Sequence, residues 1–307
     1  MAFATDTFTA TDLAVMIPEV WGEKINDFYK CNLPMAGFFT DRSDEARMGG
    51  DILHTPNLTE MTANVKSNAT AVTLNSPTET QVNLTIDQWY EVSFAIEDKE
   101  AAQVKHSYAI QERYAKNAGY TIARQLESAI AALFSGFSTS VGASTTDLVD
   151  SEIRQAIATL DSNCVEGIQA NTSDVAFIMH PNVIWRQLMA IDKFTLVQNT
   201  LGADPVLKGH VGSLYGIPVL ASTEVDFVSG SDGRYNVLAH TDAIHWATSP
   251  LGAGGSKGSM VGSGGIRVQS SYQYDFLSTL TTADILYGVI ENRDNAGVAI
   301  LTHATNA

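Results

Sequence analysis

The stretch from Ile96 to Phe137, IEDKEAAQVKHSYAIQERYAKNAGYTIARQLESAIAALFSGF, constrains the fold of this chain more than any other. Val104, Tyr108, Ala115, Ala118, Ile122, Leu126, Ala129 and Leu133 mostly fall three or four apart, which draws one apolar stripe along a helix. Asp98 suits its start, Glu97 and Glu100 suit the positive end of its dipole, and Gly136 marks a stop. No proline interrupts the run. At 1.5 Å per residue such a helix spans roughly 55 Å, more than an ordinary core needs. It predicts a strut, a coiled coil or a shared spine.

The residues just before it predict a second overextended element. Val82, Leu84, Ile86, Tyr90, Val92, Phe94 and Ile96 occupy even positions, with Asn83, Thr85, Asp87, Glu91 and Ser93 between them. This is the alternation of a strand, with Gln88 its one polar exception. At ~3.3 Å per residue the run reaches nearly 50 Å. A two-stranded ribbon of that length is marginal alone, because only one face finds a partner within the chain. Its base, near Tyr90 to Ile96, is expected to pack on the helix. The segment from Asn57 to Gln81, rich in Thr, Asn, Ser and Ala, is expected to reach another subunit, with a turn at Asn75-Ser76-Pro77. Asn57, Lys66, Asn75, Pro77 and Glu79 are therefore candidate inter-subunit contacts. Trp89 is a sixth: it and Tyr90 point to opposite faces, so either one is core and the other a subunit contact, or both are covered within the chain.

Elsewhere the texture is mixed. Ile17-Pro18-Glu19-Val20-Trp21 opens a short helix ending near Tyr29, in an arm that must lie along something else. From Asp147 to Pro250 the pattern is compact α/β: a helix with Val149, Ile153, Ala156, Ile157 and Leu160, a buried strand at Val175–Met179, and a helix opened by His180-Pro181. Leu214–Leu220 reads as a turn into a strand and Ser231-Asp232-Gly233 as a hairpin. After a glycine-rich loop from Leu251 to Gly265 come an alternating strand with Ile266, Val268, Tyr272, Tyr274 and Phe276, a buried one at Ile285–Ile290, and a last at Val298–Leu301.

Composition excludes several functions. A formal charge of −16 repels phosphate, which disfavours sequence-neutral nucleic-acid binding. No run of about 18 apolar residues exists, so no membrane span is expected, and the first Lys is Lys24, which leaves no basic lead-in for a secretory signal. Cys31 and Cys164 read as two reduced thiols. No motif carries chemistry. In the loop Gly252–Ser259, Lys257 is flanked by Ser256 and Gly258, which breaks the Walker spacing, and no strand–loop–helix setting surrounds it. His240, Asp242 and His245 are the tightest histidine cluster, in poor ligand geometry. Gly212-Ser213 does not fit a nucleophile elbow. Catalytic, cofactor and metal residues are all expected to be absent.

In order and texture, nearly the whole chain resembles the major capsid proteins of tailed bacteriophages, of the Hong Kong 97 type. The closing segments Ile285-Leu286-Tyr287-Gly288-Val289-Ile290 and Val298-Ala299-Ile300-Leu301 look like that family's last strands, and Gly212-Ser213-Leu214-Tyr215-Gly216-Ile217-Pro218-Val219 is similar to a turn and strand of its axial domain. The resemblance implies an α+β fold with an N-terminal arm (1–48), an extended β-hairpin E-loop (49–95), a peripheral domain (96–144 and 261–291, spine helix 97–136) and an α/β axial domain (145–260 and 292–307). It implies a shell protein that self-assembles into hexamers and pentamers, forms the icosahedral head and encloses double-stranded DNA without specific contact. The partners implied are its own copies, a portal protein, and separate scaffolding and decoration proteins, since the chain leaves no room for a leading scaffold segment. It would be made in the bacterial cytoplasm and reside in the virion. Lys66, the one lysine between Gly49 and Ile96, matches the hairpin lysine that crosslinks to a neighbour's asparagine in the type member, although no matching asparagine and carboxylate can be placed here. Two rival readings remain: an encapsulin-like compartment shell, and a cytosolic oligomeric α/β enzyme whose long helix makes the dimer.

Overall fold

The computed structural model describes residues 30–31, 33–46, 50–58, 61–103, 110–163, 174–191, 213–228, 233–251, 259–260 and 265–303. The expected helix ending near Tyr29, the glycine loop at 252–258 and Cys164 lie outside them.

In chain order the elements are α1 (Met35–Phe38), β1 (Thr40–Asp41), α2 (Ser43–Ala46), β2 (Ile52–Asn57), β3 (Thr80–Thr85), β4 (Gln88–Glu97), α3 (Asp98–Gln103) and α4 (Ile110–Ala132). There follow β5 (Ser140–Gly142), α5 (Asp150–Ser162), β6 (Val175–Met179), α6 (Pro181–Arg186), β7 (Ser213–Leu214) and β8 (Ile217–Ala221). The chain closes with β9 (Gly233–His240), β10 (Ile244–Ser249), β11 (Ser259–Met260), β12 (Arg267–Gln273), β13 (Ser278–Glu291) and β14 (Gly297–His303).

The long helical stretch is described as α3 and α4, with 104–109 outside the described residues. At 1.5 Å per residue α4 alone spans roughly 35 Å, and a 3₁₀ turn at Leu133–Ser135 ends it. The expected stripe is met in part: Ala115, Ala129 and Leu133 are half-buried and Val104 and Tyr108 lie outside the described residues, while Ala118, Ile122 and Leu126, joined by Ile130 and Phe134, are buried, each four residues from the last. They share one core with Ile285 and Tyr287 of β13 and with Val237 and Ala239 of β9. The helix therefore joins two sheets.

The first sheet is built on β13. β4 runs antiparallel along one edge, from Glu97↔Ser278 to Gln88↔Tyr287. Along the other edge lie β12, opposite 278–284, and then β10, opposite 286–291. The glycine-rich loop is thus an excursion from one nearly continuous edge: it leaves after Ser249, opposite Leu286, and returns at Arg267, opposite Asp284. β1 adds to β10 in parallel and closes that end. The second sheet has the order β5-β14-β9-β6-β8-β7. Its core includes Phe177, Met179, Leu238 and Val298, packed with Ile153 and Leu160 of α5 and Val183 of α6. The sheets exchange short strands: β10, from within 145–260, belongs to the first, and β5, from within 96–144, to the second.

Two expectations need correction. The alternating run 82–96 is not one strand. It divides at Ile86-Asp87 into β3, which pairs with β2, and β4, which pairs with β13. The chain crosses β13 there at very close range: a Cβ on Gly288 would stand 2.0 Å from the Thr85 carbonyl oxygen, a contact no side chain tolerates. Alternation survives the break because Leu84 and Ile86 bury against Leu286 and Ile290 on one face of β13, whereas Val92 packs with Ala283 in the helix core on the other. The closing strand is also longer than 285–290, running from Ser278 to Glu291. Its first five residues are Ser-Thr-Leu-Thr-Thr, with Leu280 the one apolar side chain, yet both edges of this part are hydrogen-bonded.

Candidate functional site

The most unusual surface is the ribbon. β2 and β3 pair from Ile52↔Thr85 to Asn57↔Thr80 and form a two-stranded sheet of their own. Beyond that mouth, residues 61–79 belong to no helix or strand and every one is exposed. Apolar side chains that a folded monomer would cover stand in solvent: Val65 is 97% exposed and Leu74 86%, with Leu58, Met61 and Val72 similarly bare. An exposed row of this kind marks an interaction surface.

Although it lacks a backbone ladder, this segment is ordered by its own polar side chains. The Asn75 amide donates to the Thr62 carbonyl at 2.7 Å, and the Asn64 amide donates to Asn75 Oδ1 at 3.1 Å. At the tip, Lys66 Nζ donates to the carbonyls of Ser67 (2.8 Å) and Thr70, while Thr70 Oγ1 donates to Ser67 O at 2.9 Å. The reversal falls there, at Asn68–Ala69, with Ala69 at φ 62°. At Asn75-Ser76-Pro77, where a turn is expected, none is formed. An ammonium that gathers carbonyls can close a turn that no local sequence code announces, and Asn75 spends its side chain across the loop.

The candidate contacts fall in four places. Asn57 and Glu79 sit at the mouth, Lys66 and Asn75 toward the tip, and exposed Pro77 between them. Trp89 is apart from them on β4, 64% exposed. Its indole donates to Asp284 Oδ2 at 3.1 Å, while Tyr90 turns the other way and stacks on Tyr287 with ring centroids 5.9 Å apart.

Asp284 anchors the sheet beneath. Its side chain is 4% exposed and it takes a bidentate contact from Arg267 of β12, besides the Trp89 indole. That contact raises the Arg267 pKa above its ordinary value. Sequence reading missed this group, and also the exposed aromatic tip of β12–β13, where Tyr274, Phe276 and Leu277 are bare. Their common parity places Tyr274 and Phe276 in the expected strand, but β12 ends at Gln273 and residues 274–277 form the turn into β13. Glu127 was missed as well: buried on α4, its carboxylate accepts from the backbone amides of Met35 (3.1 Å) and Ala36 (3.0 Å).

His240 Nδ1 accepts from the Asp242 amide at 3.1 Å and so serves a turn. His245 Nε2 is 3.8 Å from Asp242. Among the described residues no group of three His, Cys, Asp or Glu could hold a metal ion, and no helix is long and apolar enough to cross a membrane.

Solved structures share the fold in which a spine helix bridges two sheets. A chain of Mycobacterium phage Che8 is 18% identical, with 97% of this chain and 98% of that one covered and a TM-score of 0.73. The capsid structure of cyanophage P-SCSP1u gives 12% identity, 100% and 97% coverage and a TM-score of 0.73. The head structure of Helicobacter pylori bacteriophage KHP40 gives 13%, 99% and 100%, and 0.70. Comparison with curated proteins finds no match. A sequence model described as phage capsid protein matches residues 78–300. The chain belongs to the phage capsid protein family, it is a capsid shell protein, and its fold is the Hong Kong 97 type expected from its sequence.

Proposed function

We propose that this shell protein assembles as hexamers and pentamers into the icosahedral head of a tailed phage, through packing and without catalysis. The observation that carries this reading is the ribbon, which is held in shape by its own side chains while its apolar residues face solvent. A preformed, uncovered surface loses little entropy on contact, and many such weak contacts made at once are effectively multivalent. Asn57, Lys66, Asn75, Pro77, Glu79 and Trp89 would lie against neighbouring copies. Lys66 would act by holding the tip rather than by crosslinking, since its ammonium is already engaged by its own loop.

The division into arm (1–48), hairpin (49–95), peripheral parts (96–144 and 261–291) and axial parts (145–260 and 292–307) is carried forward as part of this proposal. β10 and β5 would then be strands lent by each domain to the other. Portal, scaffolding and decoration partners, passive enclosure of DNA and synthesis in the host cytoplasm belong to the same reading, and the charge of −16 suits a wall that must not grip DNA. Sedimentation of the purified chain, alone and co-expressed with the products of neighbouring head genes, tests it. Megadalton particles or ring-shaped capsomers are expected. A stable monomer or dimer under every condition would overturn it.

A further inference from the structure

Residues 33–46 form a strap across the first sheet and the spine helix. Met35 and Phe39 are buried in the helix core, Phe39 against Phe134. The Trp246 indole donates to Ala36 O at 3.1 Å, β1 covers the edge of β10, and Thr40 Oγ1 donates to Thr241 O. At Gly50-Asp51 the strap continues into the ribbon, where the Ile86 amide donates to Asp51 O at 2.8 Å.

Two side chains of α4 hold this segment: Tyr120, whose hydroxyl accepts from the Cys31 amide at 2.8 Å just before the strap, and Glu127 within it. Glu127 is 1% exposed, and its two carboxylate oxygens take the Met35 and Ala36 amides. Among the described residues no cation lies within ion-pair distance of it. The cation one helical turn back, Arg124, is paired at 2.8 Å with Glu224 of the β8–β9 connection. Glu224 is also the charged group that acts on Glu127 from that side, and it disfavours ionisation. Asp226, further along the same connection, and Arg234, at the start of β9, act on Glu224 or on each other. From the strap side Glu127 meets two amides. Two neutral donors do not compensate a buried charge as a cation would.

We propose that Glu127 is a proton-operated latch, which holds the strap more tightly when neutral than when ionised, so that a rise in pH through neutrality loosens the segment leading into the ribbon. Burial pushes the Glu127 pKa up to about 7, partly opposed by the two amides. With the strap lifted, water reaches the carboxylate and the pKa falls back toward its ordinary value of 4.5. The docked form therefore binds the proton more tightly, acid favours docking, and the gain is lost as pH rises through about 7. His245, beside Trp246, faces Arg42, Asp242 and Arg293, and burial lowers its pKa from 6.5.

Hydrogen–deuterium exchange by mass spectrometry on the full-length protein tests the latch, with wild type and Glu127→Gln compared at the same pH so that the chemical exchange rate cancels. At pH 8.5 peptides covering 33–46 should exchange at least tenfold faster in wild type than in the variant, and at pH 4.5 the gap should shrink to about threefold or less. A ratio that does not change with pH, or a wild type better protected at pH 8.5, overturns the proposal. Should the variant not fold, wild type alone decides it. Exchange at 33–46, divided by the chemical rate, must rise with a midpoint near pH 7 while the buried strand 175–179 stays flat, and a level profile at 33–46 overturns it.

Discussion

Asp284 holds three strands with one carboxylate. Arg267 of β12 and Trp89 of β4 both reach it, and its place in the middle strand leaves it almost no water. Removing one member of a buried pair strands the other's charge, which costs about 3–5 kcal/mol. Asp284→Ala should accordingly destabilise the protein by about 3 kcal/mol in denaturant titration. Arg267→Ala, which leaves the more deeply buried Asp284 only the neutral Trp89 donor, should cost at least as much. His180 gives a pH signature. Its Nδ1 accepts from the Asn182 amide at 3.2 Å and caps α6, a task that needs the neutral ring. Burial, helped by Arg234, lowers its pKa from 6.5 to about 4. The unfolded chain therefore binds this proton first, and the stability tied to His180 is complete above pH 6.5 and lost as pH falls toward 4. Asn is an equally good cap without titration. Between pH 7 and pH 4.5, His180→Asn should lose less stability than wild type, by a difference on the order of 2 kcal/mol in paired denaturation curves.

At the scale of elements, the ribbon is where stability and assembly should separate. Its outer part buries nothing within the chain, so replacing residues 61–78 by a short Gly-Ser linker should change unfolding free energy by less than about 1 kcal/mol. The same replacement should abolish particle formation in sedimentation. Lys66→Ala, which releases the carbonyls at the tip, should give an intermediate particle yield with unaltered unfolding. The helix stripe and the alternation of 82–96 were legible because each side chain's face follows from position alone. The break at Ile86-Asp87 was not, since it is forced by the backbone of Gly288, some two hundred positions away, and Gln88 was its single local trace. The length of β13 was hidden because Ser278–Thr282 are held by edges rather than by apolar burial. Glu127 left a trace, a lone acid between Leu126 and Ile130, but the amides it serves lie about ninety residues earlier, where no spacing rule reaches.

For the whole molecule, the account rests on one imbalance: a well-covered two-sheet body carries an ordered appendage that it does not cover. The acidic surface makes unassembled copies repel one another, so contacts must be numerous to hold, and moderate salt should promote assembly by screening that repulsion. Cryo-electron microscopy of particles formed by the purified full-length chain is the most direct test. The account predicts closed shells of hexamers and pentamers in which density for residues 61–79 leaves its own subunit and lies against the next. Discrete monomers or dimers, with that segment folded back over its own β4 and β12, would contradict it.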